Sequence, residues 1–148
     1  MAATYRYEEE IVRPASLFDL SQRISVAWTF KSQLPAVPGL QSLPLPTMRI
    51  APPVNDHNLV TAKIATVPIQ FERPAGAPTP RIVAATFEVS FDDGARWRRV
   101  PLSVRPDGAI AIVQHPPGAK FVSVRGSARD VLGNQIEQTI IRAYGVVP

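Results

Sequence analysis

The chain predicts an all-β fold, an antiparallel immunoglobulin-like β-sandwich of about seven to nine strands. Three observations carry this: short runs of alternating apolar and polar residues, tight polar turns between them, and clusters of proline where strands must end. Residues 83–91 place Val83, Ala85, Phe87, Val89 and Phe91 on one face and Thr86, Glu88 and Ser90 on the other. That period of two belongs to a strand with one face buried.

Strands are predicted near residues 4–12, 22–31, 46–51, 62–72, 82–91, 96–104, 109–113, 120–129 and 135–144. In the first, Tyr5, Tyr7 and Ile11 alternate with Arg6, Glu8 and Glu10. In the second, Ile24, Val26, Trp28 and Phe30 alternate with Ser25, Ala27, Thr29 and Lys31. The fourth sets Ala65, Val67, Ile69 and Phe71 against Thr66, Gln70 and Glu72. Two positions break the pattern. Trp97 is out of phase with Val100, Leu102 and Val104, which predicts either a bulge at Arg98 and Arg99 or a tryptophan covering the opposite face. Gln138 is in phase with Ile136 and Ile140 where an apolar residue belongs, so the last strand is expected to be irregular or at an edge. One short helical turn is predicted over 15–20, with Ser16 as N-cap.

The 16 prolines gather at 35–53 and 74–80 and mark connections, because proline cannot donate to a ladder. With 148 residues the chain suits one domain, 1–148. Within it, 46–145 suffices for an immunoglobulin-like unit, and 1–31 adds two N-terminal strands. The apolar fraction of 45% supports a core, and no apolar run is long enough for a spanning helix, so a soluble chain without membrane insertion is expected. The absence of cysteine excludes disulfides, a thiol nucleophile and thiolate metal sites. Residues 1–12 carry no export signal, so the chain expressed alone is expected in the cytoplasm.

The net charge of +4 comes from scattered arginines rather than a basic face, and nucleic acid is not an expected partner. Only Arg96, Arg98 and Arg99 around Trp97 form a compact basic and aromatic group, which makes these four the candidate binding residues. A solvated strand edge explains them better. Neither histidine sits in a catalytic motif. His57 and His115 lie in proline-bordered loops, and no G-x-S-x-G, H-E-x-x-H or phosphate-binding glycine loop is present. No catalytic residue and no cofactor are assigned.

Ser90-Phe-Asp92-Asp93-Gly94-Ala-Arg96-Trp97 is similar to the Asp box of sialidases and many secreted sandwiches, with Arg96 at a position usually held by threonine. Its spacing has a local reason: aspartate accepts backbone N–H groups, glycine supplies positive φ and tryptophan packs on the hairpin. Asp130-Val-Leu-Gly133-Asn134 forms a second turn. Asp92, Asp93, Asp130 and Asn134 would supply calcium ligands if both loops lay at one end of the sandwich. Asx turns account for the same residues without a metal.

With VSFDDGARWRRVPL, LFDLSQRISVAWTF, FVSVRGSARDVLGN and QTIIRAYG in view, the whole chain resembles the C-terminal β-sandwich of large secreted subtilisin-like serine proteases of bacteria. The resemblance implies a non-catalytic accessory module, since the protease's catalytic motifs belong to an upstream domain. It also implies an extracellular location as part of the parent, and the parent's catalytic domain or a protein substrate as partner. A free-standing module binding polysaccharide or protein is the alternative.

Overall fold

The structure is a computed structural model that describes residues 2–34, 39, 42–77, 80–105 and 108–147. Eleven strands are present among them: β1 (Ala3–Val12), β2 (Arg23–Ser32), β3 (Thr47–Ile50), β4 (Leu59–Val60), β5 (Ile64–Glu72), β6 (Ile82–Ser90), β7 (Arg98–Arg99), β8 (Leu102–Arg105), β9 (Gly108–Gln114), β10 (Phe121–Asp130) and β11 (Gln135–Val146). They form a sandwich of two sheets. The larger runs β1-β2-β11-β10-β6-β7, with β4 parallel to the end of β11, and the smaller runs β3-β5-β9-β8. Every other pairing is antiparallel.

Each predicted strand is present, and the count exceeds the expected seven to nine because of two short pieces. β4 takes the edge of β11 beyond β2. The predicted 96–104 strand splits: Val100 donates its N–H to Phe87 O, Pro101 leaves the ladder, and β8 continues in the other sheet. Proline again explains the break, since it offers no donor to the first sheet.

The core lies between the sheets. Phe87, Val89, Val122, Val124, Ala128, Ile136 and Tyr144 from the larger sheet meet Met48, Ala65, Val67, Ile69, Ala111 and Val113 from the smaller. Met48 reaches the facing sheet where Gly126 leaves room: a Cβ there would stand 2.9 Å from the Met48 sulfur and 3.2 Å from Thr86 O. Pro68 sits mid-strand in β5 without cost. Its carbonyl faces the β3 side, past the end of that strand, where it accepts from Ala51 N–H, so the proline interrupts no bond to β9.

Three local expectations change. Val83 is not on the buried face: the β6–β10 register slips between Arg129 and Asp130, Val83 is exposed, and Ile82 takes the core position. The expected helical turn is confined to 15–17 and starts earlier than expected: Leu17 and Phe18 both donate to Pro14 O, and Ser16 makes no capping bond among the described residues. Gln138 belongs to a central strand, opposite Gly126 on β10 and Val26 on β2. The irregularity in β11 lies further on, where Ile141, Arg142 and Ala143 bulge against Ser123.

The two N-terminal strands, β1 and β2, are built into the larger sheet, with Trp28 donating its indole N–H to Pro46 O at 2.7 Å. Part of the proline-rich crossing after β2, at 35–38 and 40–41, lies outside the described residues. The smaller sheet ends with β3, near β11, so β1 extends beyond it. Tyr5 stacks on Phe30 and Tyr7 on Trp28, yet both tyrosines stay about half exposed, at 50% and 47%.

Candidate functional site

The candidate site is an open groove of about 530 Å³ on the outer face of the larger sheet. The 90–97 turn forms one wall, and the ends of β1 and β2 form the other, with Val12, Arg13, Gln22, Arg23 and Ser25. Thr139 and Ile141 of β11 make the floor.

The turn is held by its own polar groups. Ser90 Oγ donates to Asp92 Oδ1 at 2.8 Å and accepts the Gly94 N–H at 2.9 Å. Asp92 Oδ1 also accepts the Arg96 N–H at 2.8 Å, and its second oxygen takes the Arg96 side chain at 3.0 Å. The Arg96 backbone N–H, helped by the Ser90 hydroxyl, holds the Asp92 carboxyl below the ordinary carboxylate range. Gly94 (φ 89°) and Asp93 (φ 55°) adopt left-handed conformations, which fold the turn back over the sheet. A Cβ at Gly94 would stand 3.0 Å from Ile141 Cδ1, so glycine is needed for closeness as well as for φ.

The bulge in β11 fastens the turn from below. Arg142 has a φ of 55°, a conformation that costs energy for a residue with a Cβ, and its N–H donates to Ser123 Oγ at 3.0 Å. Its carbonyl accepts from Ser21 N–H. The side chain lies 4.5 Å from the Phe121 ring centre and grips Asp93 through two bonds, Nε to Oδ1 at 2.8 Å and Nη2 to Oδ2 at 2.7 Å. Those bonds lower the Asp93 pKa and raise that of Arg142.

Of the two readings of Trp97, the structure selects the second: the indole covers the outer face. Arg125 lies 4.6 Å over the ring and bonds Glu88 at 2.6 Å, which lowers the Glu88 pKa. One ring face is therefore occupied. The candidate arginines do not share a surface. Arg96 points to solvent beside Asp92. Arg98, opposite Val89 on β7, stands 5.9 Å over Phe91, whereas Arg99 is opposite Glu88, and successive residues of a strand face opposite sides.

The four carbonyl and carboxylate residues considered for calcium are not brought together. Asp130 pairs with Ile82 at the start of β6, whereas Asp92 and Asp93 follow its end, roughly 26 Å away at 3.3 Å per residue. Asp130 is instead buried under its own turn: Oδ1 accepts the N–H groups of Leu132 and Asn134, and Oδ2 accepts from Asn134 Nδ2, each at 2.9 Å. Arg73 completes the cluster at 3.4 Å, its side chain 7% exposed and that of Asp130 1%. Among the described residues no group of three or more histidine, cysteine, aspartate or glutamate side chains is arranged to hold a metal ion.

His115 lies in the loop after β9, as expected, but its side chain is buried there. One ring nitrogen bonds Ala62 O at 2.9 Å and the other the Tyr144 hydroxyl at 3.1 Å, with Phe91 edge-on to the ring. Burial pushes the Tyr144 pKa upward. His57 remains in an exposed loop, its backbone N–H bonded to Asn55 Oδ1.

Arg142, Arg125 and Arg73 are the residues that sequence reasoning passed over. Nothing local marks them, because each acts on a partner distant in the chain. Among the described residues no helix is long and apolar enough to cross a membrane. Comparisons with protein-family models, curated proteins and solved structures return no match.

Proposed function

We propose that the chain is a non-catalytic accessory module, an immunoglobulin- or fibronectin-III-like sandwich of the kind that closes large secreted subtilisin-like proteases of bacteria. In that role it steadies its parent, aids folding and export, or contacts substrate or cell surface outside the cell. The observation that carries the reading is how the polar side chains are used. Ser90, Asp92, Asp93, Asp130 and His115 are all engaged in bonds that hold turns or join strands. A nucleophile or general base must instead be left facing a substrate.

The quoted sequence motifs add the parent family. They fall at the loop before β2 and β2 itself, the 90–97 turn, the β10–β11 hairpin and the bulged end of β11. The coding region directly upstream tests this reading: a subtilisin-like catalytic frame is expected there. An unrelated neighbourhood, or peptide hydrolysis by the purified chain that disappears on replacing His57 or His115, would overturn it.

A second reading, a free-standing polysaccharide- or protein-binding module, is favoured by the groove. Arg13, Arg23, Gln22, Ser25 and Thr139 give it cationic and neutral hydrogen-bonding groups beside the Trp97 edge. Retention on insoluble glycans that Arg23→Ala abolishes would establish it. No retention on any would remove it.

A further inference from the structure

We propose that β1 is a self-association edge, pairing antiparallel with β1 of a second copy about a two-fold axis at Tyr7. This inference is independent of the function proposed above. β1 runs ten residues in unbroken register with β2, every one of them exposed, and the larger sheet has no strand beyond it among the described residues. Its outer row of backbone donors and acceptors is therefore open. Of the devices that blunt such edges β1 lacks proline, lysine and a bulge but carries the charges Arg6, Glu8, Glu9 and Glu10, which restrict the strands that can pair with it.

The charge pattern selects the occupant. To keep the aromatic sides of two copies together, paired residue numbers must sum to an even value, because side chains alternate between faces. A sum of 12 sets Arg6 against Arg6; 16, 18 and 20 set Glu8, Glu9 or Glu10 against itself. A sum of 10 overlaps only residues 3–7. The sum of 14 pairs residues 3–11 with no like charges opposed. It sets Arg6 against Glu8 twice, Tyr7 against Tyr7 and Tyr5 against Glu9.

Arg6 bonds Glu8 through Nε and, lying inward across the sheet, Thr29 and Glu137 through Nη1. Pairing sets the second copy's Glu8 opposite Arg6, and the exposed guanidinium turns from Glu137 toward the edge to meet it, giving a four-charge cluster across the axis. Glu9 is the one charge on the aromatic side, and it accepts the Tyr7 hydroxyl. In this register it also lies across from a tyrosine. The contact is isologous, so it closes at two copies and joins two seven-stranded sheets into one. A single strand edge buries less than the roughly 1,600 Å² typical of stable complexes, which places the association in the micromolar range.

The absence of native cysteine makes a crosslink decisive. Tyr7→Cys, opposite itself at the axis, is expected to form a covalent dimer on mild oxidation. Val12→Cys, whose two copies stand roughly 33 Å apart at 3.3 Å per residue, is not. In sedimentation equilibrium, Arg6→Glu is expected to weaken the dimer about tenfold or more, and Arg6→Glu/Glu8→Arg to recover most of it. Circular dichroism of each variant establishes that the sheet is intact. A wild-type chain that stays monomeric at several times the micromolar range, a Tyr7→Cys chain that stays uncrosslinked, or a charge swap that restores nothing would each overturn the proposal.

Discussion

Arg142 and Asp93, 49 residues apart, are joined by two parallel hydrogen bonds of 2.8 and 2.7 Å, and both take left-handed backbone conformations to meet. The contact fastens the 90–97 turn to the bulge of β11 and sets the wall of the groove beside it. Two conformations that are costly for residues with a Cβ persist only where surrounding bonds fix them. Here those bonds are the Ser123 hydroxyl on the Arg142 N–H, the Ser21 N–H on its carbonyl and the ion pair itself.

Stability should fall on the acid side. Arg142 lowers the Asp93 pKa, Arg125 that of Glu88, and the Arg96 N–H that of Asp92. A carboxyl with a depressed folded-state pKa binds fewer protons folded than unfolded. Its contribution is therefore present above the unfolded value of about 4 and is lost as pH falls through the folded value. Urea midpoints are expected to be level from neutral pH to about 5 and to drop below about 4. In Asp93→Asn the drop should be shallower. An equal drop in wild type and variant would show that Asp93 does not contribute.

The Arg73–Asp130 pair should be the most sensitive polar position. Both side chains are buried, so Asp130→Ala leaves a buried guanidinium facing Pro80 O with its main counter-charge gone, and frees three donors of the β10–β11 turn. Breaking a buried pair costs about 3–5 kcal/mol. Chemical denaturation of Asp130→Ala should show a loss of that size. Millimolar calcium should leave the wild-type midpoint unchanged, because the two acidic turns lie at opposite ends of β6.

Much of this was legible in the sequence, and its limits have physical causes. Alternation located the strands, but the split of the expected 96–104 strand at Pro101 into β7 and β8 was not read from it. The Ser90–Trp97 spacing announced a turn because the bonds of Ser90 and Asp92 that shape it are local. Bulges were not legible: Val83 keeps its hydrophobic phase while the ladder slips beside it. The bulge at 141–143 sets three residues against Ser123, so Ile140 and Tyr144 keep the same parity and leave no trace in the pattern. Nor does alternation reveal coverage. Tyr5, Tyr7 and Ile11 read as a buried face, but the smaller sheet stops short of β1.

Gly126 should tolerate no side chain. The place a Cβ would occupy is 2.9 Å from the Met48 sulfur, a flexible group, but also 3.2 Å from the Thr86 carbonyl, which cannot move without disturbing the β6–β10 ladder. Overpacking of this kind costs about 1–3 kcal/mol, so Gly126→Ala should lose that amount in urea unfolding. Shortening Met48 as well should not restore it, since the backbone contact remains. Full recovery in the double variant would place the constraint on the sulfur alone.

Trp97→Ala should loosen the turn and free Arg125 without unfolding the sandwich. The indole covers Arg125 on the outer face and contributes nothing to the core between the sheets. A loss of about 1–2 kcal/mol is expected, the size of a partly desolvated cation–π contact with its packing. Near-ultraviolet circular dichroism should change while the far-ultraviolet spectrum stays. Collapse of both would put Trp97 in the core.

The fastening of the turn to the β11 bulge is tested most directly by a double-mutant cycle on Asp93 and Arg142, read by equilibrium urea unfolding. Asp93→Ala and Arg142→Ala should each destabilise the chain. Together they should cost less than their sum, with a coupling of about 0.5–1 kcal/mol for a partly exposed pair. A coupling of zero, with both single variants as stable as the wild type, would contradict the account.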